Sequence, residues 1–69
     1  MTPIRLRLRP LRERKDWSQA ELARRAGVNQ GTISRIEAGQ TKGVDLATLD
    51  RLARALGVSP RSLIVTTKR

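Results

Sequence analysis

Hydrophobic and polar positions change period twice along this chain. Residues 4 to 8, IRLRL, alternate: Ile4, Leu6 and Leu8 on one side, Arg5 and Arg7 on the other. A period of two predicts a strand. The run is too short to stand alone and needs a partner. The other candidate is LIVTT, Leu63 to Thr67, rich in β-branched residues. The two termini are therefore expected to pair, within one chain or between two. From Arg9 the period becomes helical. Pro10 fixes φ and lacks an N–H, which suits a first turn. A first helix is predicted from about Arg9 to Lys15, with Leu8 and Leu11 inward and Asp16 at its end.

The next segment, SQAELARRAGVNQGTISRIE, reads as two helices with one break. Ser18 and Glu21 have the spacing of a capping box, in which each side chain bonds the other's backbone N–H. Trp17, just before it, is placed to staple the first turn. Leu22, Ala23 and Ala26 share a face; Glu21, Arg24 and Arg25 share another. Gly27 supplies a left-handed stop. Asn29 caps a third helix, with Ile33 and Ile36 inward and Gly39 at its end. After the loop QTKGV, residues 40 to 44, Asp45 caps a fourth helix. Leu46, Leu49, Leu52, Ala53 and Leu56 form its apolar stripe, and Asp50 and Arg54 can pair on its outer face. Gly57 ends it. Ser59 and Pro60 open a short fifth helix with Leu63 inward.

Composition narrows the chemistry. With 69 residues the chain reads as one small domain, spanning 1–69. It has no cysteine, which rules out disulfides and thiolate metal sites and fits a reducing compartment. It has no histidine, the usual general base and imidazole ligand. No apolar run approaches the roughly 18 residues of a membrane span. Fifteen Lys and Arg stand against six Asp and Glu, formally +9, which points to a polyanionic partner: nucleic acid or an anionic membrane surface. Trp17 is the only aromatic residue. Single-strand binders stack several bases on several rings, so Trp17 reads as core rather than as a platform. Glu13, Lys15 and Asp16 look like a helix end and not an acid–base pair. No nucleophile–base pair, carboxylate cluster or phosphate-cradling glycine loop is present, so an enzyme is not expected. No cofactor or metal is implied.

The break at Gly27 explains the rest. A small residue at Ala23 lets two helices cross closely, and the glycine turns the chain within a few residues. Val28, Ile33 and Ile36 then pin the second helix of the pair to the core. This is the helix-turn-helix pattern, occupying about residues 18–38, with the second helix presenting its N-terminal end outward. Such an end fits the major groove of B-DNA, whereas the major groove of A-form RNA is too narrow.

WSQAELARRAGVNQGTISRIEAGQ, followed by DLATLDRLARALGVSPRSL, resembles the phage-repressor and Cro-like (XRE-type) helix-turn-helix family, from Leu8 to Leu63. The flanking IRLRL and IVTT resemble a subgroup whose termini form a small sheet. The resemblance implies a mainly α, five-helix lambda-repressor-like domain. It also implies a cytoplasmic, nucleoid-associated regulator, expected to be a repressor that binds double-stranded DNA as a homodimer on a palindromic operator. The alternative is an antitoxin-like module that binds DNA and a partner protein. The chain is expected to be too short to hold an inducer domain as well.

Residue by residue, the resemblance implies base contacts from Gln30, Gly31, Thr32, Ser34 and Arg35. It implies phosphate contacts from Gln19, Lys42 and the backbone of Gly43; the free N–H groups of the helix start add Asn29 as a phosphate position, and Arg12 is a further phosphate candidate. Ala23, Gly27, Val28, Ile33, Ile36 and Glu37 take structural roles, with Glu37 matching the partner of Arg12 in an ion pair. The chemistry agrees: a Gln amide matches N6 and N7 of adenine, and an Arg fork matches guanine. Arg35 can equally take a phosphate. Gly31 departs from the family, which often has a polar reader there; its bare backbone allows closer approach. Arg5, Arg7 and Arg9 are either a solvated face or an arm reaching the DNA backbone.

Overall fold

Four helices of this chain stop in the same way. The computed structural model describes residues 4–66, and the side chains of 6–64. Along it run β1 (Ile4–Leu6), α1 (Arg9–Arg14), α2 (Gln19–Ala26), α3 (Gln30–Glu37), α4 (Leu46–Leu56), α5 (Pro60–Leu63) and β2 (Ile64–Thr66). Asp16, Gly27, Gly39 and Gly57, each with positive φ, follow α1 to α4. The next residue's N–H then reaches back five positions: Trp17 to Arg12, Val28 to Ala23, Gln40 to Arg35, and Val58 to Ala53. This Schellman closure satisfies carbonyls that a helix end leaves open. Asp16 is the one non-glycine in that conformation among the described residues (φ 62°).

Helix starts follow the sequence closely. Ser18 Oγ accepts from the N–H of Glu21 (3.1 Å), and Asp45 Oδ1 from that of Thr48 (2.8 Å). Half of the expected capping box is missing, however. The Glu21 carboxylate is taken by Arg24 and Arg25 on its own helix, instead of reaching back to Ser18. Two cations within one turn outcompete one backbone N–H. Ser59 stands at the start of α5 as expected, but its hydroxyl meets that of Ser62 (3.0 Å) and caps no N–H. Asp50 and Arg54 do pair on α4 (2.9 Å).

The predicted strand 4–8 is shorter than its alternation suggested. β1 ends at Leu6, because Leu8 already has helical dihedrals and is fully buried. The termini pair within the chain, antiparallel, with Ile4 opposite Thr66, Arg5 opposite Val65 and Leu6 opposite Ile64. Leu63 belongs to α5 rather than to the strand, and Thr67 lies outside the described residues.

The core is one apolar cluster: Leu8, Leu11, Leu22, Ala23, Ala26, Ile33, Ile36, Leu49, Leu52, Ala53, Leu56 and Leu63. Trp17 and Val28 pack against it, half-buried. Leu46 does not join it. It is 82% exposed, because its place at the first position of α4 carries it past the core's edge. The cation of Arg25 lies over the Trp17 ring (4.5 Å to its centre), and that of Lys15 also faces it (5.3 Å). Trp17 is thus wedged between core and charge.

Candidate nucleic-acid interface

α3 divides its residues by the 3.6 periodicity. Ile33 and Ile36 sink into the core (0% and 2% exposed). Gln30, Gly31, Ser34 and Arg35 are exposed, and Thr32 is half-buried. The base-contact positions expected from the sequence therefore share the outer side of one helix, with Thr32 at its margin. Asn29 holds the N-terminus, its Oδ1 accepting from the N–H of Gly31 (3.0 Å). That bond leaves the amide Nδ2 as a donor at the tip.

Gly27 makes the corner that presents this face. Its φ of 70° is left-handed, and a side chain would add no contacts there, since nothing lies within 4 Å of the point a Cβ would occupy. The glycine is required by its backbone and not by crowding. Val28 then turns inward, and Ala23 is buried beneath the crossing. Sequence reasoning missed a further brace. Arg51 on α4 donates from Nη1 to the carbonyl of Gly27 (3.3 Å), so a third helix holds the corner. Open carbonyls at the end of α2 are a signal that such a donor exists, but they do not name it.

The far end of α3 is held by charge. Arg12 Nε donates to Glu37 Oε2 (2.7 Å) and its Nη2 to Oε1 (2.9 Å), a two-pronged pair; Nη1 donates to the carbonyl of Trp17 (2.7 Å). Gln19 Nε2 also donates to Glu37 Oε1 (3.1 Å). The side chains of Arg12 and Glu37 are only 11% and 7% exposed. Burial pushes the Glu37 carboxyl up, but the bonds from Arg12 and Gln19 and the nearby cations outweigh it, and the net shift is downward. Arg12 is raised, chiefly by its bond to Glu37. All three guanidinium nitrogens of Arg12 are engaged inside the fold. The geometry therefore gives Arg12 the ion-pair role and lends nothing to the phosphate role expected for it. Gln19 braces α3 through Glu37.

Lys42 and Gly43 are exposed in the loop after α3. Among the described residues, neither Arg35 nor Lys42 has an ion-pair partner. No described group of His, Cys, Asp and Glu is placed to hold a metal ion, and no described helix is long and apolar enough to cross a membrane.

A family model described as helix-turn-helix matches residues 8–63. The chain belongs to that family, of the Cro/XRE type. The helix-turn-helix domain is 34% identical over 58 residues to the Neisseria hypothetical transcription factor of Neisseria meningitidis serogroup B, covering 84% of this chain and 54% of that protein. It thus spans about half the length of this curated relative. The solved structure of the Neisseria factor NHTF superposes with a TM-score of 0.76 at 34% identity, over 84% of this chain and 66% of that one. The restriction-modification controller protein C.AhdI from Aeromonas hydrophila gives 0.72 at 39% identity, over 78% and 80%. A complex of SinR and SinI proteins gives 0.74 at 29%, over 80% of this chain and 53% of that one.

Proposed function

We propose that this helix-turn-helix domain is a transcriptional repressor that binds double-stranded DNA as a homodimer on a palindromic site. The observation that carries the reading is the outer side of α3: exposed Gln30, Ser34 and Arg35 beyond a braced corner, with no acidic partner for Arg35 among the described residues. A helix so presented enters the major groove N-terminal end first. Gln30 reads adenine through its amide, and Arg35 reads guanine or holds a phosphate. Gln19, Asn29, Lys42 and the N–H of Gly43 fix register by phosphate contacts. Two copies related by a two-fold axis place two such helices about 34 Å apart, one turn of the duplex.

Selection of bound sequences from a random duplex pool tests the reading. A palindrome with half-sites about one turn apart is the expected result. Titration of that duplex at rising salt should then give a log–log slope near −0.9 for each phosphate neutralised. A flat slope, or no enriched sequence, refutes the proposal.

A second reading adds a different protein as partner. It is supported by the SinR–SinI neighbour, which is itself a two-protein complex. Sedimentation of the purified chain separates the two: a dimer at tens of micromolar or below (order of magnitude for a transient pair) favours the first reading, and a persistent monomer favours the second.

A further inference from the structure

Gly31 has no reason to be glycine that the fold supplies. The other four glycines, at 27, 39, 43 and 57, all have positive φ. Gly31 instead sits within α3 in ordinary helical backbone. A Cβ there would meet a single neighbour within 4 Å, the capping Oδ1 of Asn29 at 3.4 Å, which is van der Waals contact. The residue is exposed, so no packing excludes a side chain. Glycine also weakens a helix relative to alanine, and α3 has only eight residues. The fold would therefore gain from a side chain at this position.

What the bare position changes is the outline of the interface. At 100° per residue, Gly31 lies between Ser34 and Arg35 and almost opposite the midpoint of Ile33 and Ile36. It is the most outward point of the helix's first turn. A side chain there would hold the backbone off any surface that α3 approaches. We infer that Gly31 sets specificity by its absence of side chain: it lets the α3 backbone close against base-pair edges, so that the short side chains beside it reach them. Ser34 benefits most, because a serine hydroxyl stands close to its own backbone and can contact a base only if the helix sits deep. This inference rests on the DNA-binding reading above.

The test compares wild type with Gly31→Ala and the bulkier Gly31→Val. Thermal midpoints are measured by circular dichroism, and affinities for the selected duplex and for mixed-sequence duplex by fluorescence anisotropy. Gly31→Ala should melt at the wild-type temperature or a few degrees above it. Its affinity for the selected duplex should fall about tenfold or more, with a smaller fall on mixed sequence, so the ratio of the two drops. Gly31→Val should lose more of that ratio while remaining folded. Wild-type discrimination in the alanine variant overturns the inference. So does a lowered midpoint for Gly31→Ala, which would mean that the fold itself requires glycine. If wild type prefers no duplex at all, the DNA-binding reading fails first, and that result is distinct from either.

Discussion

The ion pair between Arg12 and Glu37 ties α1 to the end of α3, and cutting it from one side should be far worse than removing it whole. Glu37→Ala leaves a guanidinium that is 11% exposed with only the Trp17 carbonyl, and Arg12→Ala leaves a carboxylate that is 7% exposed with only the Gln19 amide. Breaking a buried pair in this way costs about 3–5 kcal/mol in general, and the residual solvent contact puts this case at the lower end, about 3 kcal/mol. A 69-residue domain has roughly 3–10 kcal/mol in total. Either single change should therefore lower the melting midpoint by roughly 12–24 °C, or leave the chain largely unfolded. The double variant Arg12→Met with Glu37→Leu replaces charge by apolar volume. It should lie within about 1 kcal/mol of wild type. Urea unfolding, followed by helical circular dichroism and by the fluorescence of Trp17, measures all four corners of the cycle. Trp17 suits the purpose because its own carbonyl accepts from Arg12. A coupling energy below about 0.5 kcal/mol would refute the argument, because an exposed pair would give that much.

Acid should act through the same carboxylate. The Glu37 pKa is depressed from its ordinary 4.5, so its contribution is complete above about pH 4.5 and is lost as pH falls through the folded-state value. Glu21 and Asp45 are depressed as well, by bonds from Arg25 and Arg24 and from Thr48 respectively, and act in the same direction. Urea midpoints should be flat from neutral pH to about 5 and fall below it, and the Arg12→Met, Glu37→Leu variant should fall less; a rise in stability below about pH 4.5 contradicts the assignment. Gly27→Ala should destabilise by about 1 kcal/mol or more, because φ is 70° there. Asp16→Gly should stabilise by up to about 1 kcal/mol, and chemical denaturation reads both. Arg35→Ala should leave the melting midpoint unchanged and weaken the selected duplex about 5- to 150-fold if Arg35 reads a base, whereas Lys42→Ala should weaken all duplexes alike and reduce the salt slope by about 1.

Helix limits were legible in the sequence because they are set locally. Ser18, Asn29 and Asp45 cap by reaching two or three residues along the chain, and Gly27 and Gly57 stop helices by their own φ. The outer side of α3 was legible for the same reason, since one period decides which residues face away. What sequence left open depends on competition or on distance. The termini pair within the chain because α5 delivers Leu63 beside Arg7, whose N–H donates to the Leu63 carbonyl (2.7 Å). Glu21 had two kinds of partner in reach, and spacing alone does not rank them. Leu46 fits the stripe of α4 by period but lies beyond the core's edge, which only the packing reveals. Arg51 meets Gly27 across 24 residues, a contact with no local trace.

The excess of positive charge matters less than where the negative charge has gone. There are six acidic residues, and each has structural work. Glu13 pairs with Arg9, Glu21 with Arg24 and Arg25, Glu37 with Arg12, and Asp50 with Arg54. Asp45 caps α4, and Asp16 takes the left-handed turn after α1. None of them belongs to the exposed side of α3 or to residues 40–44 of the loop after it, which Asp45 closes. Three of the carboxylates neutralise arginines on the surface of their own helices, two hold helix ends, and the sixth forms the buried bridge that also orients α3. The same placement leaves Arg35 and Lys42 without an ion-pair partner among the described residues. Charge reversal at an outer position of α3, such as Ser34→Glu, should therefore abolish duplex binding while leaving the fold within about 0.5 kcal/mol of wild type. Retained binding in that variant would move the interface elsewhere on the molecule.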